Sequence, residues 1–299
     1  MNLFRRSSVI TALVSLCVST SVFADDAEFI DVWADLAPLE TSRATGTPLP
    51  HRSQDVPRIT RVENVRRPRL QVFPSEAPNG TAVLILPGGG FGRIVPDLEG
   101  SEAAPFLNRL GITVFVLHYR TNEAKSADEP SWKRPLQDAE RAMRVIRLRC
   151  KEWSLDSRRI GVLGFSAGGQ VACILHTRSG ADDYEPIDQT DRLSSRPDFS
   201  LLVYPWRIRD SQTGQLLQEI RVGKDSPPAF IIHTHDDNST SMGAVLLYSE
   251  LKKHNVSAEI HVYENGGHGY GTRPRPNSNI GSWPDRATDW LVQQKLGSK

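Results

Sequence analysis

The sequence predicts a single α/β domain built on a doubly wound, mostly parallel β-sheet flanked by helices. Near-continuous apolar runs at 81–87 and 112–119 are rich in β-branched residues, which is typical of strands buried on both faces. Segments with helical spacing alternate with such runs to the end of the chain. The 299 residues are 38% hydrophobic and 24% charged, which is enough apolar surface for one sizeable core.

The overall charge argues against nucleic acid and anionic membranes as partners. Lys+Arg number 36 and Asp+Glu number 35, a net charge of +1. A strongly basic surface is what attracts nucleic acid or an anionic membrane, so we expect neither as a partner.

The first 24 residues resemble a secretory signal more than part of the fold. Arg5 and Arg6 form a basic start, an apolar run follows at 9–18, and small and polar residues lead to Ala24. The run is too short to span a bilayer comfortably. We therefore expect cleavage after Ala24 and export to the periplasm or out of the cell, with no membrane attachment afterwards.

The predicted elements then follow in chain order. Residues 25–57, rich in Pro, Asp and Thr, are expected to form an extended arm on a main domain at 58–299. The segments 58–65 and 69–74 are predicted as two edge strands joined by a short turn. The remaining predictions are strand 81–87, helix 101–111, strand 112–119, helix 134–153, strand 159–165, helix 167–176, strands 198–205 and 228–235, helix 241–255, strand 258–264 and helix 283–296. Polar excursions at 178–197 and 206–227 are expected to be cap or rim loops.

The stretch GFSAG at 164–168 fits the nucleophile pattern G-x-S-x-G. A nucleophile elbow needs a strand, a sharp turn with small flanking residues, and a helix. The predicted strand 159–165, Gly164, Gly168 and the predicted helix 167–176 supply each part, so Ser166 is the candidate nucleophile. The alternative is an ordinary helix N-cap, which serine also favours.

A serine nucleophile needs a base and an acid, which follow it in the order Ser, acid, His in folds of this type. His268 lies in the glycine-rich NGGHGYG after the last predicted strand. Asp236 and Asp237 both follow the preceding strand, and either qualifies as the acid. We prefer Asp237, at the later position, and expect Asp236 to cap the next helix or to be solvated.

An oxyanion intermediate also needs hydrogen-bond donors. The glycine-rich LPGGGFG at 86–92 follows a predicted strand, where this architecture places its second donor loop. The N–H of Gly89 or Gly90 is expected to act with that of Ala167. A phosphate-binding loop is the competing interpretation, but the glycine spacing fits neither established phosphate motif.

Two further clusters leave alternatives open. His233 and His235, with Asp236 and Asp237, resemble a zinc cluster, but no third ligand motif accompanies them. We therefore expect no metal and no organic cofactor. An exported protein can join Cys150 to Cys173, yet two buried thiols are an equally good interpretation.

Taken together, these blocks resemble secreted bacterial carbohydrate esterases with an α/β-hydrolase fold. The resemblance is to acetyl xylan esterase-like (xylanase B-like) enzymes and feruloyl esterase relatives. It covers about residues 55–295, through LILPGGGFG, RRIGVLGFSAGG, PAFIIHTHDD, ENGGHGYG and WPDRATDWL among others. It implies catalytic roles for Ser166, Asp237 and His268, and an oxyanion hole at Gly89, Gly90 and Ala167. The family usually has Val-Pro after the acid loop where this chain has NSTSMG, which keeps Asp236 open as the acid.

The resemblance implies a secreted serine esterase acting on acetyl, and by relationship feruloyl, esters of plant polysaccharides or oligosaccharides. An acylated carbohydrate is the expected partner, with the oligomeric state open. Five aromatic residues are candidates for stacking on sugar or for core packing: Trp132, Tyr204, Trp206, Tyr270 and Trp283. The loops 178–197 and 206–227 are expected to govern which ester enters. The alternatives are a prolyl-oligopeptidase-like serine peptidase and a non-catalytic glycan-binding protein on the same scaffold.

Overall fold

The computed structural model of the protein describes residues 28–122, 129–178 and 183–298. The predicted signal segment 1–24 lies outside the described residues. An eight-stranded sheet forms the centre, in the order β1-β4-β6-β5-β7-β8-β9-β10. Its strands are β1 Phe29–Asp31, β4 Arg69–Phe73, β5 Ala82–Leu86, β6 Thr113–His118, β7 Ile160–Phe165, β8 Ser200–Val203, β9 Ala229–Thr234 and β10 Ala258–Tyr263. A separate two-stranded sheet pairs β2 Thr45–Pro48 with β3 Val62–Val65.

The predicted mostly parallel, doubly wound sheet is confirmed. The strands from β6 through β5, β7, β8 and β9 to β10 pair in parallel, and only β4 and β1 at one end are antiparallel. The central strands β5, β6, β7, β8 and β9 are buried along their whole length. Helices cover both faces, which explains why these strands are apolar throughout and do not alternate.

Among the described residues, five α-helices pack on the sheet and contribute to two hydrophobic cores, one on each face. They are α1 Ala104–Asn108, α2 Lys133–Leu148, α3 Ser166–Thr177, α4 Met242–Lys253 and α5 Trp283–Gln293. Side chains of α2, α3 and α4 pack into one core, and those of α1 and α5 pack into the other. The predicted helix 134–153 ends earlier as an α-helix, because its last residues form the 3₁₀ turn Cys150–Trp153 before the left-handed Ser154. In the described ranges, no helix is both long and apolar enough to cross a membrane.

The prediction of two edge strands joined by a short turn at 58–65 and 69–74 is wrong for the second strand, because β4 lies between β1 and β6. Both segments contain strands, β3 and β4, but they lie in different sheets. The residues between them hydrogen-bond to the arm, since the N–H groups of Arg66 and Arg67 both donate to the carbonyl of Ala44. Two strands of the arm therefore pair with these segments: β2 pairs with β3, and β1 pairs with β4.

A buried polar network joins the arm to the sheet and to α2. Trp33 Nε1 donates to Asp138 Oδ1 at 2.9 Å, and Arg120 donates to the same carboxylate through its backbone N–H at 2.8 Å and its Nε at 3.0 Å. Arg120 Nη1 also donates to the carbonyl of Pro38 at 2.7 Å. The side chains of Arg120 and Asp138 are fully buried, so their charges compensate each other inside the protein.

Both described cysteines are free thiols. Cys150 and Cys173 are buried, and both contribute to the core that packs under α2 and α3. Of the two interpretations of these residues, the structure has the buried thiols.

Candidate active site

Ser166 lies at a sharp turn between a central strand and a helix. Strand β7 ends at Phe165, and α3 begins at Ser166 itself, whose φ is +51°. A Cβ on Gly164 would come within 2.5 Å of Ala172 Cβ, and one on Gly168 within 2.1 Å of the carbonyl oxygen of Leu86. Glycine is therefore required on both sides, and the close packing presents the serine at the carboxyl end of the sheet.

His268 lies directly against this serine. Its Nε2 is 2.7 Å from Ser166 Oγ. The imidazole belongs to the loop after β10, where Gly267 and Gly269 have φ values of +67° and +68°. These left-handed conformations turn the loop back over the sheet edge. Ser166 is 7% exposed and the His268 side chain 32% exposed, so the pair lies at the bottom of an open cavity.

Asp237 contacts the other nitrogen of the same imidazole. Its Oδ2 is 2.6 Å from His268 Nδ1 and 3.1 Å from His233 Nε2, while its Oδ1 accepts the N–H of Ser239 at 2.7 Å. Burial alone would raise the pKa of this carboxyl. The hydrogen bonds from His233, His268 and Ser239 outweigh burial and hold the pKa well below its usual range. The carboxylate is therefore ionised and fully buried between two histidines.

Asp236 contacts the backbone of the histidine loop instead of the imidazole. Its carboxylate accepts the N–H of Gly266 at 3.2 Å and that of Gly267 at 2.9 Å. The hydrogen bond from Gly267, the largest effect, and that from Gly266 outweigh the opposing effect of burial, so the pKa of Asp236 is lowered. Neither helix capping nor plain solvation, the two roles expected for this residue, describes it. It positions the loop that carries His268.

The glycine-rich loop after β5 borders the same cavity as the serine. Gly89 and Gly90 line it together with Ser166 and His268. Their φ values are +129° and +67°, and neither N–H donates to another described residue. Ala167 lies in the first turn of α3, where the N–H groups have no acceptor within the helix. The structure thus brings the three predicted donor residues to the serine.

Glu99, a buried residue near the serine, was missed by the sequence analysis, and Tyr204 was considered only for sugar stacking or core packing. Glu99 is only 5% exposed, and its Oε1 accepts the hydroxyl of Tyr204 at 2.9 Å. The same hydroxyl accepts the N–H of Gly271 at 2.9 Å, and the Tyr204 ring packs edge-on to His268 at 4.9 Å. Burial raises the pKa of Glu99 despite these contacts. An acidic residue just before a helix gave no signal that it would be buried under a catalytic loop.

His233 was considered only as a metal ligand. It is buried on β9 and bonds to Asp237, whereas His235 follows the end of the strand and is exposed. Among the described residues, no group of three or more His, Cys, Asp or Glu side chains is arranged to hold a metal ion. His233 instead supports the carboxylate that faces His268.

The cavity above the serine has a volume of about 1190 Å³. Its walls come from three parts of the chain: 52–61 in and after the arm, 89–102 after β5, and 268–276 around and after His268. Of the loops 178–197 and 206–227, which are expected to govern entry, only Trp206 lines the cavity among the described residues. The described part of 178–197 packs on α2 instead, through contacts such as Arg141 with Asp188 at 2.6 Å.

The five candidate aromatic residues separate in the structure. Tyr204, Tyr270 and Trp283 are fully buried and pack in the core, so they present no face to a sugar. Trp132 is partly buried against the other core. Trp206 and Tyr270 both line the cavity, but Tyr270 has no exposed surface, so Trp206 is the one of the five available to a substrate there.

Comparison with known proteins identifies proteins similar to this chain in sequence and in fold. Residues 81–203 match the BD-FAE protein family. The chain is 28% identical over 227 residues to an acetylxylan esterase of Xylanibacter ruminicola, covering 68% of this chain and 44% of that protein. It is 29% identical over 207 residues to an endo-1,4-beta-xylanase B of Butyrivibrio fibrisolvens, covering 62% of this chain and 32% of that protein. The chain thus spans less than half the length of these curated relatives.

Solved structures share the whole architecture. The acetyl ester-xyloside bifunctional hydrolase of Caldicellulosiruptor lactoaceticus superposes with a TM-score of 0.71 at 26% identity, over 93% of this chain and 100% of that one. An esterase of Thermogutta terrifontis superposes with a TM-score of 0.65 at 19% identity, over 78% of this chain and 92% of that one, a likeness of fold. Residues 81–203 are thus similar to the BD-FAE family, and the described chain has an α/β-hydrolase fold.

Proposed function

We propose that this protein is an exported serine esterase that removes acetyl groups, and by relationship feruloyl groups, from plant-type polysaccharides or oligosaccharides. The observation that carries the proposal is one line of hydrogen bonds: Ser166 Oγ to His268 Nε2 at 2.7 Å, and His268 Nδ1 to Asp237 Oδ2 at 2.6 Å. A hydroxyl, an imidazole and an ionised carboxylate in this order form the arrangement of a serine hydrolase.

The proposed reaction follows from these contacts. In the tautomer with its proton on Nδ1, His268 donates to Asp237 and accepts the Ser166 proton at Nε2. The serine oxygen attacks the ester carbonyl, and the N–H groups of Ala167 and of Gly89 or Gly90 stabilise the oxyanion. His268 then protonates the leaving sugar oxygen. Water, activated by the same imidazole, releases the acid from the acyl-enzyme.

The proposed substrate class rests on the relatives and on the shape of the site. The named relatives include an acetylxylan esterase and an acetyl ester-xyloside hydrolase. The cavity of about 1190 Å³ is open to solvent and has Trp206 in its wall, a residue type that stacks on sugar rings. Proposed export rests on the basic, apolar and small-residue order of residues 1–24.

The test is acetate release from acetylated xylo-oligosaccharides and p-nitrophenyl acetate, with Ser166→Ala and with the exposed Ser298→Ala as a matched control. We expect turnover by the wild type and the control, loss of at least about 10³-fold in kcat for Ser166→Ala, and labelling of Ser166 by a fluorophosphonate probe. Cleavage of a proline-containing peptide amide without ester turnover would replace the esterase by a peptidase. A folded protein that neither turns over nor labels would leave only a glycan-binding role.

A further inference from the structure

The wall of the active-site cavity carries more arginine than carboxylate. Five arginines border it together with Ser166 and His268, against three carboxyl side chains. The arginines are Arg52, Arg61, Arg93, Arg273 and Arg275, and the acids are Asp55, Glu99 and Glu102. The chain as a whole is nearly neutral at +1, so this excess is local to the cavity.

Two of the five arginines are already neutralised. Arg61 forms a two-pronged pair with Asp55, with its Nη1 at 2.5 Å and its Nη2 at 3.2 Å from the carboxylate oxygens. Arg273 pairs with Glu102 in the same manner, at 2.8 Å and 2.5 Å. Arg273 also donates to the backbone carbonyls of Pro57 and Arg58. These pairs build the wall and leave no charge for a ligand.

The third acid does not compensate the remaining arginines. Glu99 is buried, its Oε1 accepts the Tyr204 hydroxyl, and it forms no ion pair with a described arginine. Three cationic side chains therefore face the cavity without a carboxylate of their own: Arg52, Arg93 and Arg275. Arg275 donates to the carbonyl of Gly269 at 3.0 Å, an uncharged partner.

Arg93 is the most informative of the three. Its Nε is buried and has no hydrogen-bond acceptor among the described residues. It follows the oxyanion loop directly, and its backbone is so close to Gly89 that a Cβ there would approach the Arg93 carbonyl oxygen to 2.3 Å. The Nε is enclosed by protein, so a ligand in the cavity reaches Arg93 through its two terminal Nη groups, which donate to no described residue.

We infer that the cavity selects esters whose substrate carries a carboxylate, and that Arg93 binds this carboxylate with Arg52 and Arg275 as supporting charges. The inference rests on the proposed esterase function and adds the substrate class. A guanidinium presents parallel donors that match the two oxygens of a carboxylate. The carboxylate has two possible sources: a uronic acid in the glycan, or a dicarboxylic acyl group.

The test compares esters that differ only in charge. One arm uses an O-acetylated uronic acid glycoside and its uronate methyl ester, and the other uses p-nitrophenyl hemisuccinate and p-nitrophenyl methyl succinate. We expect kcat/KM to be about 10- to 100-fold higher for one free acid than for its methyl ester, falling as salt is added. The arm that shows the preference identifies the source of the carboxylate.

Variants locate the preference. Arg93→Gln should abolish the preference, mainly by raising KM for the acid, so that kcat/KM falls more for the acid than for the methyl ester. Arg93→Lys should keep part of the preference, because lysine keeps the positive charge but lacks the two parallel donors of a guanidinium. Arg286→Gln, on the exposed face of α5, is the matched control and should change neither substrate.

The outcomes distinguish failure of this inference from failure of the proposed esterase function. Equal turnover of acid and methyl ester in both arms, together with normal hydrolysis of p-nitrophenyl acetate, overturns the inference and leaves the esterase standing. An equal loss for both substrates in Arg93→Gln also overturns it. Failure to hydrolyse any ester, the neutral acetate included, overturns the proposed function and the inference with it.

Discussion

The neighbouring residues Asp236 and Asp237 carry the same carboxylate, but the two carboxylates contact different groups. Asp237 is buried between His233 and His268, whereas Asp236 binds the loop backbone at Gly266 and Gly267. The sequence reduced the acid to these two residues through the chain order of the motif. It could not separate them further, because a one-residue shift at the end of a strand reverses which side chain points inward.

This division of roles predicts different effects for two similar substitutions. Asp237→Asn should lower kcat on p-nitrophenyl acetate by about 10³- to 10⁴-fold, because an amide no longer fixes the productive histidine tautomer. Asp236→Asn keeps one acceptor for the loop N–H groups and should cost less than about 10-fold. Steady-state kinetics at neutral pH, with a thermal melt of each variant, measures both. Comparable losses in the two variants would contradict the assignment.

At the scale of elements, the sequence was informative where apolar runs were long and uninformative where pairing depended on distant residues. Strands β5 to β9 follow from their apolar runs, since each is buried along its whole length, whereas β10 is only partly buried. The pairing of β3 and β4 with the arm could not be predicted from such a pattern. The arm at 25–57 has little periodicity, and its attachment depends on residues far along the chain, such as Asp138 beneath Trp33.

The buried network under the arm gives a prediction at this scale. Asp138→Asn removes the charge that compensates the buried Arg120, and it should lower the free energy of unfolding by about 3 kcal/mol. Glu250→Gln, which breaks the exposed pair with Lys253 on α4, is the control and should cost less than about 1 kcal/mol. Urea unfolding followed by tryptophan fluorescence measures the two midpoints. If both variants unfolded at the same urea concentration, the network would not be what secures the arm.

For the molecule as a whole, two buried histidines link folding to pH. Burial, followed by the charge of Arg69, lowers the pKa of His118 to about 4, and burial, followed by the charge of Arg196, lowers that of His176 to about 3. The unfolded chain binds these protons near pH 6.5, so it holds more protons than the folded one at lower pH. Their contribution is complete above about pH 6.5 and is lost as the pH falls toward 4.

The expected size of this effect is on the order of 3 kcal/mol per histidine over that window. Urea unfolding of the wild type at pH 7, 6, 5 and 4 should show stability falling with pH. The double variant His118→Gln/His176→Gln should show a shallower slope, whatever its stability at pH 7. The exposed His254→Gln is the control and should keep the wild-type slope. A double variant that kept the wild-type slope would assign the acid sensitivity to other groups.

The walls of the cavity have a consequence for how this chain can change. The reacting groups come after residue 165, while a large part of the wall comes from residues 52–61, ahead of the first central strand. The part of the wall at 52–61 is thus separated along the chain from Ser166, Asp237 and His268, whereas the parts at 89–102 and 268–276 adjoin residues of the site. A chimera that replaces only the first segment, keeping the residues that pair with β3 and β4, can acquire a different substrate preference while its reacting atoms stay in register.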